Sequence, residues 1–350
     1  MTRVPEAPAS YDIPASKQWR LGEAPWRPDR PTPPHARIII DNDFAGDPDD
    51  LFQLVHHLLS PSVEIRAVVC SHLRPGDPWA VTDDSAADAY AVAADVFARM
   101  GLASTEVLVK GAAEALASTS EPRDSEAARR IVAEAMRDDA DTPLFYVAGG
   151  GLTDLASAYL LEPRIAERLI LVWLGGPEHD GLGTPPPGAM PIEYNLLIDV
   201  TAGQVLFDAQ ALEIWQIPRD TYRQSMISEA ELRRRVAATG PLGRYLHDEV
   251  RGVVTMVAAH GMRPSECYIL GDTGLVLVTA LRSVFEADSA SSRHVLKPTP
   301  QLTAEGAYRP MPGTRPMRVY TQLDTRLMFE DFFCKLDEFA QWQAQEGAQG

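Results

Sequence analysis

Between Arg37 and Pro218, apolar runs of five to eight residues alternate with longer amphipathic stretches. The runs at 37–41, 63–70, 106–110, 144–149, 169–175 and 212–218 are rich in Ile, Val and Leu, which predicts strands buried on both faces. Stretches at 49–60, 84–101, 124–139, 152–163 and 199–210 carry apolar residues at helical spacing and predict helices between those strands. Strand-helix alternation of this kind is the pattern of an α/β fold: three layers, a mostly parallel central sheet and helices on both faces. After Arg219 the pattern turns helical and polar, at 228–240 and 241–262, and predicts a helical cap over the carboxyl ends of the strands. An apolar helix at 272–282 and a strand-rich segment ending in "TRLMFEDFFCKLDEFAQWQAQ" complete the chain. Residues 1–35 are Pro-rich and hold Trp19 and Trp26, so they read as an extended arm draped over the body or a neighbouring subunit, and 36–345 read as a single domain.

Composition narrows the partners. The 350 residues carry 32 Lys+Arg against 49 Asp+Glu, a formal charge of −17, which disfavours nucleic acid and anionic membrane surfaces and suits a small neutral ligand. No apolar run reaches the ~20 residues of a membrane span and the start lacks the apolar core of a signal peptide, so a cytoplasmic location is expected. Three widely spaced cysteines, Cys70, Cys267 and Cys334, fit neither a disulfide framework nor a zinc knuckle.

The chemistry concentrates in "DNDFAGDPDD", 41–50, where the first strand meets the first helix. Open α/β sheets bind ligands at this end of their strands. Five carboxylates this close repel one another unless hydrogen bonds, a helix dipole or a cation holds them ionised. Asp47 reads as an N-cap, with Pro48 at the first helical position and Asp50 in the first turn. That leaves Asp41 and Asp43, which alternate along the strand end and face the helix start carrying Asp49 and Asp50. Four convergent carboxylates are donors for a hard cation. An EF-hand loop is excluded, because Ala45 and Phe52 stand at its fifth and twelfth positions. A haloacid dehalogenase-type phosphatase matches only Asp41 and Asp43, and "DPDD" running straight into a helix is not its pattern.

Four stretches in order resemble the nucleoside hydrolase family: "DNDFAGDPDD", "VAGGGLTDLASAYLLEPRIAERLILVWLGG" (147–176), "EYNLLIDVTAGQVLF" (193–207) and "GDTGLVLVTAL" (271–281). The first is similar to that family's Asp-x-Asp-Pro-Gly-x-Asp-Asp opening, with two extra residues between the aspartate pairs. The likeness spans roughly residues 36 to 340. It implies an N-glycosyl hydrolase that releases ribose and free base from a nucleoside or related N-ribosyl compound. It further implies Ca2+ held by Asp43, Asp50, the Gly149 carbonyl and Asp272, with Asp49, Glu193 and Asn195 on the ribose hydroxyls and Asp41 supporting from behind. Asp43 is then the general base on a water held by the cation. A homo-oligomer, dimer or tetramer, is implied as well.

The departures fall on the aglycone side. No asparagine follows the second strand, where "AVVCSHLRPGDPW" stands, none stands in "GTPPPGAM", and Gly271 replaces the histidine that often precedes the late aspartate. His72, Tyr222, His260 and Tyr268 are therefore candidates for the leaving-group or pocket role. The alternatives are a calcium-dependent sugar- or nucleoside-binding protein without catalysis and, below it, a metal-dependent phosphohydrolase. The latter needs a basic phosphate clamp, and beyond Arg74 and Lys110 the motif neighbourhoods offer little positive charge.

Overall fold

The computed structural model describes residues 4, 11–27, 32–259, 261, 263, 265–283, 285 and 290–345. The six expected strands form at β1 (Ala36–Asn42), β2 (Val63–Cys70), β3 (Leu108–Lys110), β4 (Leu144–Ala148), β5 (Ile170–Leu174) and β6 (Glu213–Ile217). They lie in the order β3-β2-β1-β4-β5-β6, all parallel, and the strands Pro316–Gln322 and Arg293–Pro298 extend the sheet beyond β6. The Arg293–Pro298 strand runs antiparallel at the edge.

β1 sits between β2 and β4 and is buried along its whole length. Ile38 and Ile40 enter one core and Ile39 the other, as the two-residue repeat of a strand requires. Each such side chain contributes about 1.5–3 kcal/mol through burial. The first core holds α1 (Asp49–Leu58), α2 (Ser85–Met100) and the helices Thr273–Thr279 and Thr325–Ala344; the second holds α3 (Glu126–Ala135), α4 (Thr153–Leu161) and α6 (Val200–Asp208). This is the expected three-layer arrangement. The closing stretch "TRLMFEDFFCKLDEFAQWQA" is a 20-residue helix whose Met328, Phe332, Leu336 and Phe339 pack inward, which the strand-rich reading of that region passed over. No helix among the described residues is long and apolar enough to cross a membrane.

The described part of the N-terminal arm lies on the body. Trp19 donates its indole N–H to the Met100 carbonyl at 2.8 Å and meets Trp26 edge to face at 4.8 Å, and Trp26 meets Phe339 at 5.2 Å. The arm's described residues make a 3₁₀ turn at Ala15–Lys17 and further turns at 21–23 and 25–26. Gly101 ends α2 at φ +67, and a Cβ there would stand 2.7 Å from the Lys17 carbonyl oxygen. Gly101→Ala is therefore expected to cost at least about 1–2 kcal/mol in a urea melt, through the left-handed backbone and the lifted arm.

Candidate active site

The carboxyl end of β1 opens into a cavity of ≈260 Å³. Asp43, Asp47, Asp49 and Asp50 enter it from the β1–α1 turn, Gly149 from the turn after β4, Glu193 and Asn195 from the start of α5 (Tyr194–Ile198), and Gly271 and Asp272 from the head of Thr273–Thr279. Of the residues singled out in sequence, these nine line it together with Tyr222: Asp43, Asp47, Asp49, Asp50, Gly149, Glu193, Asn195, Gly271 and Asp272.

Local structure explains each placement. α1 begins at Asp49 behind Pro48; the Asp47 carboxylate faces the Asp49 backbone N–H, as the expected N-cap would, and also accepts the Tyr268 hydroxyl. Asp272 occupies the N-cap position of its helix without a cap bond. Its Oδ2 accepts the Asn42 amide at 2.6 Å, while its backbone N–H donates to Asp49 Oδ2 at 3.2 Å. Capping alone therefore does not explain the Asp272 carboxylate. Glu193 does cap α5: its Oε2 accepts the backbone N–H groups of Leu196 and Gly176, and its Oε1 accepts the Tyr222 hydroxyl at 2.9 Å. Asn195 donates to the carbonyls of Gly149 (2.6 Å) and Leu174 (2.8 Å). Asp41 lies behind the cavity, fully buried, and accepts the Tyr146 hydroxyl. His72 is buried outside the lining, bonded to the Leu73 carbonyl at 2.8 Å and to Thr153 Oγ1 at 2.9 Å. His260 lies outside the described residues.

Desolvation in the cavity pushes the carboxylic acids up: Asp47 to about 6, Asp43 to about 7, and Asp49, Asp50 and Asp272 well above the ordinary range. Repulsion adds to it, chiefly from Asp43 on Asp50 and from Asp272 on Asp49. Carboxylates so placed ionise fully only beside compensating positive charge. In kind the donors fit a hard cation, for all are oxygens and Asp50 Oδ1 is buried without a hydrogen-bond partner. Among the described residues, no three His, Cys, Asp or Glu side chains stand as a ready metal-holding group.

Two glycines hold the turn after β4 close to these groups. A Cβ on Gly149 would stand 2.6 Å from Asp272 Oδ2, and one on Gly150 would stand 2.6 Å from Asp43 Oδ1. The Asp43 carboxylate can swing away at little cost in stability, but not without leaving its position. Gly150→Ala is expected to leave the melting temperature within a few degrees of wild type and to lower turnover by about 10- to 10²-fold, since misplacing a reacting group by 1 Å has that scale of effect. Calorimetry beside steady-state kinetics checks both halves.

The walls that sequence reasoning missed are Trp79, Leu174, Tyr194 and Ile269. Tyr194 donates to Asp77 Oδ2 at 2.9 Å, and Asp77 also accepts the Trp79 backbone N–H and pairs with Arg74 at 3.0 Å. Tyr194 stands inside the quoted "EYN" stretch, and Trp79 lies within the loop between β2 and α2. A large aromatic in a loop at the ligand end of a strand was the signal available for it.

A family model described as inosine-uridine preferring nucleoside hydrolase matches residues 38–327. The inosine-uridine preferring nucleoside hydrolase of Crithidia fasciculata is 39% identical over 72 residues, 20% of each chain. That of Leishmania major is 33% identical over 95 residues, 27% of this chain and 28% of its own. These alignments thus span only about a fifth to a quarter of the relatives' length. Among solved structures, the purine-preferring ribonucleoside hydrolase from Gardnerella vaginalis superposes with a TM-score of 0.63 at 18% identity, covering 87% of this chain and 99% of that one. An inosine-guanosine nucleoside hydrolase gives 0.61 at 17%, covering 88% and 99%. At such identities the likeness is one of fold.

Proposed function

The chain belongs to the inosine-uridine preferring nucleoside hydrolase family, and from that premise we propose that it hydrolyses the N-glycosidic bond of a ribonucleoside or related N-ribosyl compound, giving ribose and free base. One observation carries the reading: four stretches far apart in sequence deliver Asp43, Asp49, Asp50, Gly149, Glu193, Asn195 and Asp272 to a single cavity at the strand ends.

In this reading Asp43, Asp50, Asp272 and the Gly149 carbonyl would hold Ca2+. When bound, the ion supplies the positive charge that keeps the carboxylates ionised and the Lewis acidity that grips a sugar diol and acidifies water. Asp43 takes the proton of the attacking water. Asp49, Glu193 and Asn195 orient the ribose hydroxyls. Glu193 is itself fixed by two backbone N–H groups and Tyr222, so its grip costs little further ordering. Asp41, held by Tyr146 beneath the turn, supports β1 where Asp43 departs from it. Of the leaving-group candidates, Tyr222 lines the cavity, Tyr268 and His72 stand outside the lining, Tyr268 with its hydroxyl on Asp47, and His260 completes the set. The resemblance also supports a homo-oligomer, dimer or tetramer.

The test is release of ribose and free base from purine, pyrimidine and modified nucleosides. Equimolar ribose and base from at least one substrate supports the reading. Calcium-dependent binding of nucleosides with no turnover of any would replace it with a binding protein.

A further inference from the structure

Fourteen described residues line the cavity, of which six are carboxylates and none is His, Lys or Arg. The metal and ribose roles account for Asp43, Asp49, Asp50, Glu193 and Asp272; the walls left for the aglycone are Trp79, Leu174, Tyr194, Tyr222 and Ile269. Those walls are aromatic and aliphatic. A base departing from a neutral nucleoside carries off the bonding electron pair and needs a proton in the transition state. Each nearby phenol has its proton committed to a carboxylate: Tyr194 to Asp77, Tyr222 to Glu193 and Tyr268 to Asp47. Asn195 directs its amide group at two carbonyls, and Gly271, beside Asp49 and Tyr222, has no side chain to offer. The described wall thus holds aromatic faces inside a field of negative charge and, beyond the carboxyl groups themselves, no His, Lys, Arg or uncommitted hydroxyl to protonate a leaving nitrogen.

Resting on the N-ribohydrolase reading above, we propose that this cavity is built for N-ribosides whose aglycone is already a cation: a quaternised pyridine or an N-alkylated purine. Such a ring is attracted to the faces of Trp79, Tyr194 or Tyr222 and to the surrounding carboxylates. Its departure needs no acid. The water oxygen bonds to the anomeric carbon as the carbon–nitrogen bond breaks, and that bond's electron pair passes to the ring nitrogen and cancels its charge. The water proton goes to Asp43 and then to solvent. The products are ribose, a neutral heterocycle and one proton.

The experiment compares kcat/KM on the calcium-loaded full chain for two pairs of near-equal shape: 7-methylguanosine with guanosine, and N-ribosylnicotinamide with its 1,4-dihydro form. Each value is divided by the uncatalysed rate of the same compound at the same pH, because a cationic leaving group also departs faster in water. The cationic member is expected to lead in both pairs by about 10²-fold or more, the scale of a missing general acid. A neutral member that equals or exceeds its cationic partner in either pair overturns the proposal and leaves the ribohydrolase standing. Release of ribose from none of these four, nor from any other nucleoside, overturns both.

Discussion

Asp43→Asn is expected to lower ribose release by about 10²–10⁴-fold, the range that general-base catalysis contributes, while the thermal melt moves little. The change keeps the side chain's size and removes only its capacity to take a proton and its charge. Asp43 is nearly buried, its backbone N–H is held by Asn42 Oδ1 at 3.0 Å, and neither contact depends on the carboxylate's ionisation. Steady-state kinetics beside calorimetry separates the two effects. Turnover within threefold of wild type would remove Asp43 from the chemistry and point to another base in the same cavity.

The second large effect lies at the opposite end of the same strand. Arg37, at the start of β1, pairs with Glu134 of α3 at 2.5 Å, with the two side chains 7% and 6% exposed. Burial alone would raise the Glu134 pKa, but the Arg37 hydrogen bond and the charges of Arg66 and Arg137 outweigh it and hold it below the ordinary glutamate value. Arg37→Ala leaves Glu134 buried with weaker partners and is expected to cost about 3–5 kcal/mol, read as a lower urea midpoint at unchanged slope. Replacing both residues by apolar ones of similar volume should recover most of the loss. A group whose folded pKa is depressed adds stability that is present above its unfolded pKa and is lost as pH falls through the folded value. The gap between wild type and Arg37→Ala should therefore be full at pH 6 and above and shrink progressively below about pH 4.3, the unperturbed glutamate pKa. A gap independent of pH would show that packing of the Arg37 stem, rather than the ion pair, carries the stability.

The parts of this molecule that were legible in sequence are those governed by local repetition. The double burial of β1 is written in "RIII", and the carboxylates of "DNDFAGDPDD" announce a site because like charges clustered at a strand end need a partner to hold them ionised. Asp272 and Glu193 could be placed only through order along the chain, since nothing local says that they meet Asp43. The aromatic wall was illegible for the same reason: Trp79 comes from a loop and Tyr194 from the first position of a five-residue helix, both too short to show a period, and their shared partner Asp77 shows only in three dimensions. Asp47 shows a local rule supplemented: its sequence position favours an N-cap and it faces the Asp49 backbone N–H, but its carboxylate also takes the hydroxyl of Tyr268, more than two hundred residues away, which no local pattern announces. The closing helix was obscured by "MFEDFFC", whose adjacent aromatics suit a strand as well as a helix; packing of Phe332 and Phe339 into the first core decides it.

The most direct measurement is to strip the full chain with a chelator, add calcium back in steps, and follow ribose release from a nucleoside or N-riboside. Activity that vanishes on stripping and returns in proportion to about one ion per chain, with ribose and base formed in equal amounts, is the result expected from the Asp43, Asp50 and Asp272 constellation. Full hydrolysis by the stripped chain, or calcium binding with no ribose from any N-riboside, would contradict it.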